Sequence, residues 1–263
     1  MGPLLFLRSI LRILAGKPQV PPSLKDNQLL GILLKRRSVR RFVDGEIPDE
    51  IFAAILEAGR LAPSTVNLQT WSFAAFTGDT WRERFGRPIP FKGSRAVIVM
   101  GDTHRDLAVL DVFPYSPLVE YTVAVMNASL AAMNMNIAAE ALGVSSVMLS
   151  ETGRTGFLDA DYLRQKLELP AGVFPLMTIV FGYAKGRYPP MPPKLPLEQI
   201  CFQGKYREVD AAVMQDWLAQ MVAGYKATYP RSSFDAQLQL YKSKIGKAEA
   251  DLSAMIFYEN QGP

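Results

Sequence analysis

The period of the hydrophobic pattern changes along the chain, and each change marks an element. Leu29, Leu30, Ile32, Leu33 and Leu34 recur at helical spacing and predict a helix over Asn27 to Lys35. A second helix is predicted over Ile51 to Leu61. Pro48 suits its start, Asp49 and Glu50 suit its positive end, and Pro63 stops it. Short apolar runs between turn residues, at Trp71 to Thr77, Ala96 to Met100, Val144 to Leu149 and Leu176 to Phe181, read as strands. Pro117 to Leu142 is rich in Ala and Met and apolar nearly all round. Such a helix is buried in a core or at a subunit interface, and Gly143 caps its end. A helix near Asp159 to Leu167 and two polar-faced helices, Val209 to Tyr229 and Phe234 to Phe257, complete the set. Pro189 to Pro196 reads as an extended crossing segment.

The ends differ from the middle. MGPLLFLRSILRILAGKP sets Leu4, Leu5, Phe6, Ile10, Leu11, Ile13 and Leu14 around Arg8 and Arg12, and Pro18, Pro21 and Pro22 break it from the body. It is too short and interrupted to span a bilayer and lacks a small-residue cleavage site, so it reads as a basic amphipathic helix. Packing on a partner subunit is the expectation, and interfacial membrane association the alternative. Near the other end, Val213, Trp217, Leu218, Met221, Val222 and Tyr225 form an apolar stripe expected to bury against a partner subunit. The resulting organisation is an arm (1–24), a body (25–205) and a helical extension (206–263).

Composition narrows the chemistry. The 263 residues are 49% apolar and 21% charged, as in ordinary globular proteins, with a mild net charge of +4. That excess suits an anionic ligand such as a phosphate. It does not argue for nucleic acid, since no basic stripe with interleaved aromatics and no zinc-finger spacing occurs. The lone Cys201 rules out an intrachain disulfide and fits a reducing, cytoplasmic setting. One Cys and one His make a Cys/His metal site within one chain very poor chemistry, and a triad would have to use His104 without a nucleophile elbow. Redox chemistry, if present, belongs to an organic cofactor. No G-x-G-x-x-G and no P-loop marks a separate dinucleotide domain.

Two segments carry candidate chemistry. Lys35-Arg36-Arg37-Ser38-Val39-Arg40-Arg41 puts five cations in seven residues, which repel one another unless an anion neutralises them. Arginine matches a phosphate with two parallel hydrogen bonds, and Ser38 adds a hydroxyl. A solvated basic turn is the competing reading. Leu61-Ala62-Pro63-Ser64-Thr65-Val66-Asn67-Leu68-Gln69-Thr70-Trp71 is a loop dense in hydroxyls and amides. Asn67 and Gln69 each offer donor and acceptor together, as the edge of a flavin pyrimidine requires. A capping loop with Trp71 in the core is the competing reading.

RRSVRRF, a helix, then APSTVNLQTW, the long Ala-rich helix, ALGVSSVML, a strand ending in FGY, and PPKLPLE resemble, in that order, the FMN-dependent nitroreductases. The resemblance covers roughly residues 28 to 200. It implies an α+β fold, with a central mostly antiparallel sheet flanked by helices, in an intertwined homodimer. The long helix would form the interface, and the segment near Leu197 to Phe202 would add a strand to the partner's sheet. It also implies FMN contacts: Arg36, Arg37, Ser38 and Arg40 on the phosphate and ribityl chain, and Pro63, Ser64, Thr65, Asn67 and Gln69 reaching across from the other subunit. Met148, Leu149 and Ser150 would lie along the ring, and Lys194 near the phosphate. Thr70 stands where the family often has proline, and Ser150-Glu151-Thr152 lacks a common Glu-Gly pair. The implied reaction is ping-pong: NAD(P)H reduces FMN at N5, and a small organic acceptor, a nitroaromatic, quinone or activated alkene, is reduced in turn. A flavin-binding module without turnover, a dehalogenase or an ene reductase on the same fold are the alternatives.

Overall fold

The computed structural model describes residues 2–16, 20–113, 115–150 and 154–258. Helices α1 (Pro3–Ala15), α2 (Gln28–Lys35) and α3 (Asp49–Arg60) come first. Strand β1 (Trp71–Thr77), helix α4 (Gly78–Phe85), strand β2 (Arg95–Asp102) and the single turn α5 (His104–Leu107) lead to the long α6 (Pro117–Ala141). Then follow β3 (Ser145–Leu149), α7 (Ala160–Leu167), β4 (Val173–Gly182), the short α8 (Leu197–Ile200), α9 (Ala211–Thr228) and α10 (Phe234–Ile256). Two compact units result, one from the 27–188 and 243–263 stretches and one from the 1–26 and 189–242 stretches.

The larger unit is built on a sheet ordered β1-β2-β4-β3, antiparallel at each pairing. Strand alternation sends successive residues to opposite faces. Val97 and Val99 of β2 therefore meet Phe52, Ile55, Ala128 and Met135 of α3 and α6. Ala96, Ile98 and Met100 meet Trp81, Phe85 and Leu163 of α4 and α7. Both faces are covered, giving the α+β layering expected from the sequence. Helix α6 comes close to the sheet because its inner face is small: a Cβ on Gly101 would stand 2.9 Å from the Cβ of Ala124. The end of α10 belongs to this core through Met255 and Ile256.

In the smaller unit, α1 packs on α9. Ser9 is buried, Arg12 forms an ion pair with Asp216, and Gly224 leaves room for Ile13. For the arm this differs from the sequence reading, which gave it to a partner subunit: its contacts are to Asp216 and Gly224 of α9, neither of them in the apolar stripe of the extension. The arm thus has a partner within its own chain, where no association entropy opposes the contact. A second correction concerns 197–202. Its first four residues form the turn α8 rather than a strand. Pro18 lies outside the described residues, as do Glu151 and Thr152. Among the described residues no helix is long and apolar enough to cross a membrane.

Candidate functional site

Helix α2 starts at Asn27, whose side chain accepts from the Leu30 N–H at 3.0 Å, and ends where Arg36 turns to an extended ψ of 133°. Arg37 folds back on that end: its Nη1 donates to the carbonyls of Leu34 and Arg36, each at 2.7 Å. The chain then joins the sheet edge. Ser38 pairs in parallel with Ser146, and the Val39 N–H donates to the Ser146 carbonyl at 3.0 Å. Val39 and Phe42 are buried while Arg40 and Arg41 between them are exposed. Phe42 lies over Gly182, where a Cβ would come within 2.7 Å of its ring. Among the described residues, no hydrogen bond or ion pair uses the side chains of Arg36, Ser38 or Arg40.

The neutralising acid that the sequence did not reveal is Glu140, near the end of α6. Burial pushes its carboxyl above the usual carboxylate range, against the Tyr188 hydroxyl that donates to it at 3.3 Å and against the charges of Arg36, Arg37 and Lys35. Arg37 is shifted down, by burial first and by Arg36 second. One partly desolvated acid among three cations leaves the turn positive, which is the condition for an anion site.

The amide loop is held from beneath. Asn127 of α6, 1% exposed, accepts from the Thr65 N–H at 3.0 Å and the Thr65 hydroxyl at 3.2 Å, and donates to the Thr70 hydroxyl at 2.8 Å. The Ser64 hydroxyl accepts from the Gln69 N–H at 3.1 Å. Arg105 donates to the carbonyls of Gln69, at 3.3 Å, and Trp71, at 2.5 Å. This scaffold keeps three non-glycine residues in the left-handed region: Val66 at φ 50°, Asn67 at 58° and Gln69 at 53°. The side chains of Ser64 and Thr65 are thus engaged in building the loop. Those of Asn67 and Gln69 have no hydrogen bond among the described residues, and Pro63 is exposed.

The third segment is the end of β3. The Leu149 side chain is core, and Met148 turns toward α6, where Asn136 Nδ2 donates to its sulfur at 3.0 Å and Asn136 Oδ1 accepts from the Ser146 hydroxyl. Side chains at 148 and 149 are therefore packing groups, and only backbone there is free to face a ligand. Ser150 is half-buried, and Lys194, in the smaller unit, is exposed.

Sequence reasoning missed Asn127, Asn136, Glu140 and Arg105. For Asn127, Asn136 and Glu140 the available signal was a polar residue set into the otherwise apolar α6, where a buried polar group needs a partner; Arg105, on α5, had none. These anchors also fix relative positions. Asn127 and Glu140 are thirteen residues apart on one helix, roughly 20 Å. At about 100° per residue, Asn127, which holds the loop, points opposite Asn136, which holds β3 beside the basic turn. One chain brings the basic turn and β3 together, and it sets the amide loop on the other side of α6.

A family model, that of the nitroreductase family, matches residues 33–90 and 82–183, more than half of the chain. The chain belongs to the nitroreductase family. Membership places it among the oxidoreductases and bears out the resemblance read from the two segments. A nitroreductase-family relative from Archaeoglobus fulgidus, named for NADH dehydrogenase/NAD(P)H nitroreductase, is 30% identical over 164 residues, covering 60% of this chain and 86% of its own. Among solved structures, NfrA2 of B. megaterium superposes with a TM-score of 0.72 at 20% identity, covering 88% of this chain and 96% of that one. The NADPH:FMN oxidoreductase of Vibrio harveyi, solved with NAD+, gives a TM-score of 0.65 at 22% identity over 83% of this chain and 98% of its own. Both share the nitroreductase fold described above.

Proposed function

We propose that this nitroreductase binds FMN in a homodimer and transfers electrons from NAD(P)H to a small organic acceptor: a nitroaromatic, a quinone or an activated alkene. The observation that carries the reading is the unengaged set Arg36, Ser38 and Arg40 on a fixed backbone, beside a partly desolvated acid. That donor set fits a phosphate ester. The name of the Vibrio harveyi relative, NADPH:FMN oxidoreductase, supports the choice of flavin and donor.

FMN, when bound, would supply the two-electron hydride chemistry that links NAD(P)H to the acceptor. The chain's residues position and polarise. Arg36 and Arg40 hold the phosphate by charge-assisted hydrogen bonds, and Ser38 offers its hydroxyl to the adjoining chain. Arg37 keeps the turn in shape through its carbonyl contacts. Asn67 and Gln69 present donor and acceptor together at the pyrimidine edge. The opposite placement of the loop and the basic turn about α6 supports a site whose amides come from a second copy. The outer face of α6, with Val119, Met126 and Leu130 exposed, supplies the apolar surface that such a pairing buries.

Two measurements test this. The purified protein should be yellow and release one FMN per chain; FAD or no flavin counts against it. Mixing an Arg36→Ala chain with an Asn67→Ala chain should restore one intact site per heterodimer and part of the NAD(P)H-dependent activity. No recovery in purified heterodimers, with both parents inactive, removes the shared site.

A further inference from the structure

We propose that α1 is an interfacial helix that docks the protein on an anionic lipid surface. One side of α1 is already occupied: Ser9 and Ile13 lie against α9. A different side carries Leu4, Leu7, Leu11 and Leu14, spaced three, four and three residues apart, each more than half exposed. At about 100° per residue these four fall within roughly a quarter of the helix circumference. An apolar stripe this regular, on a helix whose packing need is already met, is a second interface.

The charge pattern selects the occupant. Arg8 borders the stripe and is exposed, and Arg12 follows one turn on, half-exposed even in its pair with Asp216. The first acidic residue of the chain is Asp26. A second copy of α1 laid across the stripe would bring Arg8 near Arg8 of the other copy with no acid on either helix to answer it. A bilayer with anionic headgroups takes both features at once: leucines enter the acyl boundary and Arg8 meets phosphates at its edge. The thirteen residues of α1 are about 20 Å long, a length that lies in the surface plane and does not span it.

The test is co-flotation of the purified 263-residue protein with phosphatidylcholine vesicles, with or without phosphatidylglycerol. Binding is expected only to the anionic vesicles, and it should weaken in high salt. Leu7→Glu combined with Leu11→Glu replaces the middle two of the four stripe leucines, away from the side that meets α9, and should lower vesicle affinity about a hundredfold. Arg8→Glu should lower it roughly thirtyfold. Flavin content and circular dichroism check folding, and Leu7→Ser with Leu11→Ser replaces the glutamates should they fail that check. No flotation of the wild type with anionic vesicles overturns the proposal, as does flotation indifferent to the substitutions. If the variants instead shift the vesicle-free protein to a smaller species in sedimentation, a second copy covers the stripe and the lipid assignment is wrong.

Discussion

The basic turn and the amide loop solve the same problem, holding polar side chains ready, by opposite means. The turn uses ordinary backbone, fixed to the sheet edge at Ser38 and Val39, and concentrates like charges whose repulsion a ligand relieves. The loop carries no formal charge from Leu61 to Trp71 and stores backbone strain, with Val66, Asn67 and Gln69 left-handed over one buried asparagine. Losing side chains of the turn should therefore change binding and leave the fold intact. Losing the loop's anchor should change the fold first and binding afterwards.

The sharpest way to break that contrast is Arg36→Ala with Arg40→Ala. Each arginine contributes roughly 1.5–3 kcal/mol to a bound phosphate, so FMN affinity in fluorescence titration should fall by two orders of magnitude or more. Thermal unfolding of the flavin-free protein should be unchanged. A drop in its melting temperature would mean that these side chains support the fold after all. Next in size is Asn127→Ala. Three hydrogen bonds and a buried amide are lost, so the unfolding free energy should drop by about 2–4 kcal/mol. Stability unchanged in denaturant titration would show that the loop holds itself.

Residues 61–71 also mark how far the sequence could be read. Their hydroxyls and amides were visible as candidate chemistry. What they do was not, because Asn127 lies 57 and 62 residues away from the groups it binds. The same limit hid Glu140 from the basic turn. Local signals served better: Pro48 and Pro63 bracket α3, Gly143 takes φ 75° after α6, and short apolar runs between turn residues placed β1 to β4. Helix α4 escaped because half of Gly78 to Phe85 is charged and its apolar residues are too few to show a period. Its start rests on Thr77 and Thr80, each accepting the other's N–H, at 3.2 and 2.9 Å. The pairing of α1 with α9 joins distant ends of the chain, which no periodicity encodes.

Two smaller changes sharpen the comparison. Val66 is 88% exposed, so its left-handed backbone is strained with little packing in return within the chain. Val66→Asn, a residue that tolerates this region, should stabilise by about 0.5–1 kcal/mol in denaturant titration. A loss instead would mean that another copy covers the valine. The smallest effect concerns Glu140. Burial raises its carboxyl, so the folded state takes up the proton before the unfolded one does. The associated cost is full above the folded value and is relieved as pH falls through it toward the ordinary carboxylate range. Glu140→Gln should flatten the mildly acidic limb of the stability–pH curve and tighten FMN binding a few-fold at neutral pH. An unchanged acid limb, or weaker binding, would mean that the carboxylate orders the turn more than it competes with the phosphate.

The loop and the turn lie on opposite sides of α6, so the proposed site obeys mass action. A site assembled from two copies exists only in the dimer, so the number of working sites follows the square of the protomer concentration when protomers dominate. Specific activity should then fall on dilution and return on concentration with no change in covalent structure. The cell's expression level would set both how much protein is present and what fraction of it works.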